Sequence, residues 1–571
     1  MTGSERTRER YTYQQEPQPD GTLVSSAGED RIPVRPPDWE EALGLLKHLN
    51  TLRDAAGRRN SSLVQIDGFE PWWFVQDRLY RFYLLPFTRY REFLQATFGR
   101  AALELAAAPG DLVRLVEILS GREGFPYYYP LDRNGIPLPS LARLGWRQRI
   151  GRVAPLALTW ASLMFFRLLQ RDTILYIIDQ VSPGLDHDFR LSPLYQELHA
   201  RGYRVAEYAH TLSPRKALAN SARRCRPVAY IESFGGLSDL DRGPESPAMS
   251  AGVAANAADF EEAWERALLP LVLAWCTQST ARYRRICWAI RVQGAKRAII
   301  FDDNRHNHEL VAACRHMGVK VLGFQHGLFN RFHTGLMAYG FEGAGRHDFD
   351  LYGLWGPLFV ERLTRDSQLF DPGRVFVSGP LRPPLSLDHL APRADSGGGR
   401  VCHVLLVAEP LARREEVAAY LRPLMEDSHY HLQIKLRPGE SRAGLKSYGM
   451  NPEGADLVQT ASVYSAFENT DVVIGTYSSV LYEAVLALRP IVWLRTSMAY
   501  GGEVVQEGLA EAALGPEKVK EAVDLAARLP LEELKRRQRL AWGDPSPSGV
   551  KILLDRAEKD LWEPPGHGRM V

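Results

Sequence analysis

The sequence predicts an α/β protein in which a mainly helical N-terminal region precedes two doubly wound, Rossmann-like domains. The main observation is that short apolar runs alternate with helix-like segments from about residue 171 onward. Such alternation is typical of parallel strands whose sheet is covered by helices on both faces. A second observation is a segment rich in Pro and Gly at 381–400, which predicts a linker between two alternating series. A length of 571 residues also exceeds what one hydrophobic core can serve.

The first 170 residues differ from the rest in composition. Residues 1–40 are rich in charged residues, Pro and Gln, which predicts a disordered tail without a signal peptide. Residues 41–170 carry apolar side chains at helical spacing, which predicts the helical region. No run reaches the ~18 apolar residues that a bilayer-spanning helix needs, so we expect no transmembrane segment.

The segment 141–171 has an unusual charge pattern. It contains six arginines and no acidic residue, around an apolar stretch with Trp160, Phe165 and Phe166. Such a segment can lie at the headgroup boundary of a membrane, where the arginines meet anionic lipid. Helices that pack on a following domain often have the same pattern. A peripheral membrane contact and a packed helix therefore both stay open.

The two alternating series set the predicted domain boundaries. The first domain is expected at 171–390 and the second at 400–545, followed by a C-terminal tail or helix at 546–571. Ligands of such sheets bind beyond the carboxyl ends of the strands. The predicted strands are 174–178, 205–208, 298–301, 319–324, 351–354 and 375–377, then 401–407, 430–436, 457–459, 472–474 and 491–493.

The stretch 471–493 predicts an anion site, because it has the pattern of strand, small polar turn, helix and strand. The hydroxyls of Thr476, Ser478 and Ser479 and the free backbone N–H groups would lie at the start of the helix, where a phosphate fits. Glu483 follows one turn later and could accept hydrogen bonds from ribose hydroxyls. Serines that only cap the helix are the alternative interpretation.

Three polar loops follow strands of the first domain, and the first of them, 179–190, contains Asp186, His187 and Asp188. Gln325, His326 and Gly327 come directly after one strand, and Asp302 and Asp303 come after another. An imidazole titrates near neutral pH, so His326 is a candidate general base for a hydroxyl acceptor. Asp302 or Asp303 is the alternative base, and a histidine that only completes the turn is the structural alternative.

Basic residues follow the matching strand of the second domain. Lys435 and Arg437 could neutralise the phosphate of a leaving group. Positions two apart on a strand share a face, although Arg437 at the strand end could be only a surface charge. The histidines of these loops show no HExxH or CxxC spacing, so no metal site is predicted.

Charge and cysteine content exclude some classes of protein. The net charge of +2 gives no support for nucleic-acid binding. The five cysteines are odd in number and widely spaced, which argues against a disulfide framework. We therefore expect a reducing, cytoplasmic environment.

Three motifs resemble those of GT-B glycosyltransferases, the two-Rossmann-domain class, and specifically of enzymes that build bacterial surface polysaccharides. That group includes capsule and Kdo-type transferases, bacterial sialyltransferases and teichoic-acid glycerophosphotransferases. Gln325-His326-Gly327 resembles a strand-end His-Gly motif of the group, 435–438 resembles its K-x-H-P motif, and 477–484 resembles its S-S-x-x-x-E-A motif. The resemblance covers roughly residues 171–545.

The resemblance implies roles for these residues. Ser478 and Ser479 would hold the donor phosphate, Glu483 would bind the ribose, and His326 would be the candidate base. Arg437 departs from the group, which usually has histidine there. Because arginine does not release its proton, this position can bind phosphate but cannot act as an acid.

The resemblance also implies a reaction. It is the inverting, metal-independent transfer of a sugar from a nucleotide-sugar donor to a saccharide or lipid-linked acceptor of a surface polysaccharide or glycolipid. The nucleotide sugar is a substrate, and no cofactor is expected. The expected location is the cytoplasm, with the inner face of the membrane as the place of any lipid contact.

Three alternatives stay open. A CDP-glycerol-type glycerophosphotransferase would share the His-Gly and Ser-Ser motifs but would attack phosphorus. A nucleotide-sugar 2-epimerase has the same fold, although no epimerase pattern of carboxylates is recognisable. A catalytically silent subunit of a polysaccharide-assembly complex would not need to bind a nucleotide.

Overall fold

The computed structural model describes most of both predicted domains and part of the N-terminal region. Several predictions lie outside it, namely those for Asp302, Asp303, Arg437, the linker at 382–399 and most of the tail at 1–40. The described residues are 22–24, 31–33, 37–54, 56–92, 146–182, 184–210, 214–235, 260–300, 307–337, 339, 349–367, 370–381, 400–409, 412–436, 442–448, 456–457, 463–498, 501–544 and 549–562.

The described N-terminal region is mainly helical and packs on the first domain. Asp38 begins its first long helix, since its carboxylate accepts a hydrogen bond from the Glu41 amide at 2.9 Å. Buried Gln76 donates to two carbonyls of the first domain, those of Thr334 and Met337, at 2.7 and 2.8 Å. The elements are the antiparallel strands β1 (Thr22–Val24) and β2 (Arg31–Pro33) and the helices α1 (Trp39–Thr51), α2 (Gln76–Leu79, continued by a π-helical turn at Tyr80–Leu84) and α3 (Trp146–Leu168).

The first domain is built on a parallel seven-stranded sheet with the order β5-β4-β3-β6-β7-β8-β9. The order reverses between β3 and β6, and ligands of doubly wound sheets bind at this switch point. Its strands are β3 (Thr173–Ile178), β4 (Val205–His210), β5 (Val228–Tyr230), β6 (Arg297–Ile300), β7 (Lys320–Phe324), β8 (Leu351–Leu354) and β9 (Val375–Val377). Its helices are α4 (Ser192–Ala200), α5 (Pro214–Arg224), α6 (Phe260–Gln293), α7 (Asn307–His316) and α8 (Pro357–Asp366).

The second domain has a parallel six-stranded sheet with the order β12-β11-β10-β13-β14-β15, and its switch point lies between β10 and β13. Its strands are β10 (Cys402–Val407), β11 (Tyr430–Lys435), β12 (Asp456–Leu457), β13 (Val472–Gly475), β14 (Ile491–Leu494) and β15 (Ala510–Ala513). Its helices are α9 (Arg414–Met425), α10 (Val463–Phe467), α11 (Ser479–Leu486), α12 (Glu503–Gln506), α13 (Val519–Ala527) and α14 (Leu531–Trp542). The C-terminal helix α15 (Gly549–Asp560) follows the second domain and packs on the first.

Both sheets bury apolar side chains on both faces, as the two-fold alternation of a strand requires. In β3, Ile174 and Tyr176 join a core with α3 and α6, whereas Leu175 and Ile177 join another with α4 and α15. These two parallel sheets with helices on both faces confirm the predicted fold class.

The last two helices connect the domains. The ring of Trp542 in α14 stacks on Trp355 of the first domain with centroids 5.6 Å apart and planes 14° apart. Gly356 lies so close to the carbonyl of Ala541 that no side chain fits between them. In α15, Leu553 packs against Gly353, so the chain returns to the first sheet after the second domain.

The structure shows that α3 has both a buried and an exposed face. Leu163 and Phe166 are buried, whereas Met164, Phe165 and Leu168 are 65%, 50% and 76% exposed. The packed-helix interpretation therefore holds for one face of α3 and leaves the other open to a partner. Within the described part of the chain, none of the helices is both long and apolar enough to cross a bilayer.

Candidate functional site

The turn between β13 and α11 has the local structure that an anion site needs. Ser478 is the N-cap of α11 with φ −150°, and its hydroxyl accepts a hydrogen bond from the Val480 amide at 3.3 Å. Ser479 is the first residue of the helix, and both serines are only half-buried. The capping interpretation is thus correct for Ser478, while the hydroxyl of Ser479 and the amides of the first turn lie at the carboxyl edge of the sheet.

A buried carboxylate joins this turn to the neighbouring strand. Thr476 is 2% exposed and donates its hydroxyl to Glu409, which follows β10 and also accepts from the Ala412 amide at 2.9 Å. The bond therefore crosses the switch point between β10 and β13. Our sequence reasoning missed Glu409, although its position just after the first strand of a doubly wound domain was the available signal.

Two glycines allow the chain to approach the turn closely. Gly501 has φ +106°, and a Cβ there would lie 2.6 Å from the Thr476 carbonyl oxygen and 3.2 Å from Nε1 of Trp493. A Cβ on Gly475 would lie 3.3 Å from the Leu481 side chain. The loop at Gly501 therefore packs closely against Thr476 and holds the turn in position.

Lys435 and Glu483 interact electrostatically at the same edge of the sheet. Lys435 is the last residue of β11, and its Cα pairs with that of Val407 at the end of β10. Burial lowers the pKa of Lys435, and the nearby negative charge of Glu483 partly opposes that shift. The two half-buried side chains thus come from different elements and lie close enough to affect each other. Their roles in binding stay predictions.

In the first domain, Gln325 holds the turn that carries His326. Its amide nitrogen donates to the Gly327 carbonyl at 3.0 Å, and its Oε1 accepts from the Trp355 amide at 3.0 Å. The indole of Trp355 in turn donates to the Gln325 carbonyl at 2.9 Å. Gln325 is 2% exposed and supports the turn from beneath. Direct contact of Gln325 with a ligand stays a prediction.

The remaining residues of that turn are partly exposed. His326 is half-buried, and a Cβ added to Gly327 would meet no atom within 4 Å. His326 follows β7, which is separated from β3 by β6 alone. The turn therefore lies partly exposed at the carboxyl edge of the first sheet.

Another histidine of this region, His308, has a packing role. His308 is buried, stacks on Trp73 at 4.4 Å and has its Nε2 2.8 Å from the Gly335 carbonyl oxygen. The described residues include no cluster of three or more His, Cys, Asp or Glu side chains that could hold a metal ion.

Arg362 connects the two half-sites, which are the turn at 325–327 of the first domain and the turn and helix start at 475–483 of the second. Its guanidinium, in α8, donates to the Phe329 carbonyl at 2.6 Å, two residues after Gly327, and to the Tyr482 hydroxyl at 2.9 Å, one residue before Glu483. It also forms a short ion pair with Glu507 of the second domain. Arg362 is 3% exposed, whereas an arginine in an amphipathic helix is typically a surface charge, so the local pattern did not indicate this link.

Comparison with known proteins found no matching family model and no matching curated protein. Among solved structures, the glycotransferase of kitacinnamycin has a TM-score of 0.41 and 14% identity, covering 68% of this chain and 99% of that one. MurG of Acinetobacter baumannii has a TM-score of 0.41, 12% identity and the same coverage of both chains. A putative UDP-N-acetylglucosamine 2-epimerase of Listeria monocytogenes has a TM-score of 0.41 and 13% identity, covering 69% and 98%. The fold assignment is based on the sheet topology, and these low scores add nothing on activity.

Proposed function

We propose that the chain is a glycosyltransferase that moves a sugar from a nucleotide-activated donor to a saccharide or lipid-linked acceptor. The observation that carries the proposal is the edge of the second sheet, where the start of α11 lies beside the switch point and Lys435 interacts with Glu483. These are the groups that a nucleotide needs: amides and hydroxyls for phosphate, a cation for its charge and a carboxylate for ribose.

Each group has a stated role in this proposal. The phosphate next to the sugar lies against Ser479 and the first amides of α11, and Lys435 neutralises the charge that develops as the bond to the sugar breaks. Glu483 accepts hydrogen bonds from the ribose hydroxyls. Burial of Lys435 strengthens its attraction for the phosphate, because the local dielectric is lower than in water.

The acceptor side lies in the first domain. His326 removes the proton of the acceptor hydroxyl as that hydroxyl attacks the sugar in one inverting step, and Asp302 and Asp303 stay the alternative bases. The step uses no metal ion or cofactor, since Lys435 and the helix start stabilise the leaving group. Arg362 supports this arrangement, because one buried side chain contacts both the loop after His326 and the helix that carries Glu483.

A peripheral membrane contact fits the exposed face of α3. Trp288 of α6 is 47% exposed and packs edge-on against Trp160 at 5.1 Å, and it extends the apolar surface formed by Met164, Phe165 and Leu168. The exposed cations Arg167, Arg284, Arg291 and Lys296 lie on the same two helices or just after them. Apolar and aromatic side chains among cations suit an anionic lipid surface.

The position of this surface restricts the acceptor. Helices α3 and α6 end where β3 and β6 begin, so the surface lies at the opposite edge of the sheet from the site. A six-residue strand such as β3 spans about 20 Å. A lipid-linked acceptor must therefore carry a saccharide long enough to extend at least that far from the membrane.

Vesicle sedimentation tests the membrane contact. We expect the protein to bind vesicles rich in phosphatidylglycerol, and the double variant Met164→Glu/Leu168→Glu to lose that binding. The control is Leu525→Glu, because Leu525 is 55% exposed on α13 of the second domain. Equal binding of the double variant and the control would remove the lipid surface from the proposal.

A donor screen tests the proposed activity. Purified protein is incubated with a pool of saccharide acceptors, with pooled CMP-, UDP- and GDP-sugars and with CDP-glycerol, and mass spectrometry follows the loss of each donor. Consumption of one sugar donor, with a glycosylated product, is the expected result. Consumption of CDP-glycerol alone would indicate the glycerophosphotransferase, and consumption of no donor would indicate a silent subunit.

A further inference from the structure

The loop after β3 contains a chain of three hydrogen-bonded side chains. Oδ1 of Asp186 lies 2.5 Å from Nδ1 of His187, and Nε2 of His187 lies 2.8 Å from Oγ of Ser192. This order of carboxylate, imidazole and hydroxyl is the arrangement that activates a serine nucleophile. We propose that Ser192, His187 and Asp186 form a second reactive site, which attacks carboxylic esters.

The three residues lie at the switch point of the first sheet. The loop leaves β3 and enters α4, and the order of strands reverses between β3 and β6. Ser192 is the first residue of α4; its own amide donates to the Phe189 carbonyl, and Pro193 after it has no N–H. These two residues therefore supply no donor for the oxyanion, and we expect slower attack on an ester than at a triad with a complete oxyanion hole.

Neighbouring groups hold the imidazole in place. Burial acts to raise the pKa of Asp186, but the hydrogen bond with His187 and the positive charge of Arg226 outweigh it and lower the pKa. Asp186 is therefore ionised at neutral pH and can fix the orientation of the ring. Tyr195 packs against the ring at 4.8 Å, and its hydroxyl donates to Glu207 at 2.7 Å. Arg226 forms an ion pair with the same Asp186 carboxylate. We therefore expect Ser192 to attack esters more slowly than a serine whose triad carboxylate has no such cation beside it.

The surroundings indicate the class of substrate. His187 and Ser192 are half-buried, so the hydroxyl is partly open to solvent. Leu185 and Phe189 of the same loop are 40% and 36% exposed; Leu185 directly precedes Asp186, and Phe189 lies between His187 and Ser192. Exposed apolar side chains next to a nucleophile favour an apolar acyl group, such as that of a short-chain ester.

The reaction balances with water as the second reactant. Oγ of Ser192 bonds to the acyl carbon while its proton passes to Nε2 of His187, and His187 gives that proton to the departing alkoxide. Water then attacks the acyl-serine, His187 takes a proton from the water, and the same proton returns to Oγ of Ser192. The products are an alcohol and a carboxylic acid.

Labelling of the full chain with a fluorophosphonate probe tests the site without any nucleotide or acceptor. The Ser192 oxygen bonds to phosphorus, fluoride leaves, and peptide mapping identifies the adduct. We expect one adduct on Ser192 in the native protein, none in Ser192→Ala, and labelling slower by about 100-fold or more in His187→Gln. Ser182→Ala is the matched control, since Ser182 lies in the same loop and accepts from the Phe189 amide at 2.9 Å.

Two results would overturn the proposal. One is the absence of an adduct on Ser192 of the native protein at millimolar probe, which does not depend on the folding of any variant. The other is equal labelling rates in His187→Gln and the native protein, which would make His187 only a link between the loop and α4. Hydrolysis of p-nitrophenyl butyrate that Ser192→Ala abolishes and Ser182→Ala retains would support it further.

Discussion

Replacing Arg362 by alanine removes a buried guanidinium that donates hydrogen bonds both to the loop after His326 and to the helix that carries Glu483. The change leaves the Glu507 carboxylate, whose side chain is 16% exposed, without its ion-pair partner, and it leaves the Phe329 carbonyl without this donor. Breaking a buried charged pair costs 3–5 kcal/mol, and the partial exposure of Glu507 favours the lower end. We therefore expect the free energy of unfolding to decrease by about 3 kcal/mol.

Urea unfolding measures this effect, with near-UV circular dichroism as the signal because Trp355 and Trp542 stack across the domain interface. For an m value of about 3 kcal/mol/M, the midpoint of the transition should decrease by about 1 M. The two domains can unfold separately, so the transitions are fitted individually. Arg362→Lys should give an intermediate shift, because lysine keeps the charge but lacks the planar fork.

Arg365→Ala is the matched control for this prediction. Arg365 lies on the same helix with a 61% exposed side chain that pairs with Asp366, so its removal should change the free energy by no more than about 0.5 kcal/mol. Equal midpoints for Arg362→Ala and Arg365→Ala would refute the view that a buried guanidinium holds the half-sites together.

Three further predictions concern the site itself. His326→Ala should lower kcat by about 100-fold while donor affinity stays unchanged, and weaker donor binding with normal turnover at saturation would instead place His326 on the ligand. Gly501→Ala should destabilise the second domain by about 1–3 kcal/mol, because its φ is +106° and its Cβ would lie 2.6 Å from the Thr476 carbonyl oxygen. Gly508→Ala is the control, because Gly508 also has a positive φ of +71° but its Cβ would meet no atom closer than 3.9 Å. An equal loss of stability in both variants would show that backbone strain, and not the steric clash with Thr476, causes the effect. Burial lowers the pKa of Lys435, so nucleotide affinity should fall as the pH rises toward that pKa. Lys435→Arg should retain its affinity at higher pH, because arginine stays charged. Parallel pH profiles of affinity for the two proteins would contradict this role of Lys435.

Local pattern predicted most of the described strands of both sheets. The apolar run 351–354 matches β8, and 472–474 lies within β13, because a strand buried on both faces needs a continuous apolar run. The run 375–377 matches β9, an edge strand that is only partly buried. β5 and β15 were missed, since a three-residue strand and an Ala-rich one give little pattern. The helix start at Ser478 was predictable because capping depends on adjacent residues.

The long-range contacts of the site were not predictable from the sequence. The bond between Thr476 and Glu409 joins residues 67 positions apart, and the bond between Arg362 and Tyr482 joins residues 120 positions apart. The position of Gln325 beneath the turn depends on Trp355 of the next strand's loop, 30 positions away. Such pairs are set by which strands become neighbours, and local periodicity does not contain that information.

Ser478→Asp provides the most direct test of the proposed nucleotide site, because aspartate retains the N-cap of α11 but places a negative charge where the donor phosphate would lie. Isothermal titration with the nucleotide of the active donor compares this variant with Ser497→Asp, a change at a serine of the same domain whose hydroxyl bonds to Glu416. We predict an unchanged melting temperature for Ser478→Asp and a loss of nucleotide affinity of at least about tenfold, with little loss for Ser497→Asp. Native-like nucleotide affinity in Ser478→Asp would show that the serines only cap the helix and would contradict the account.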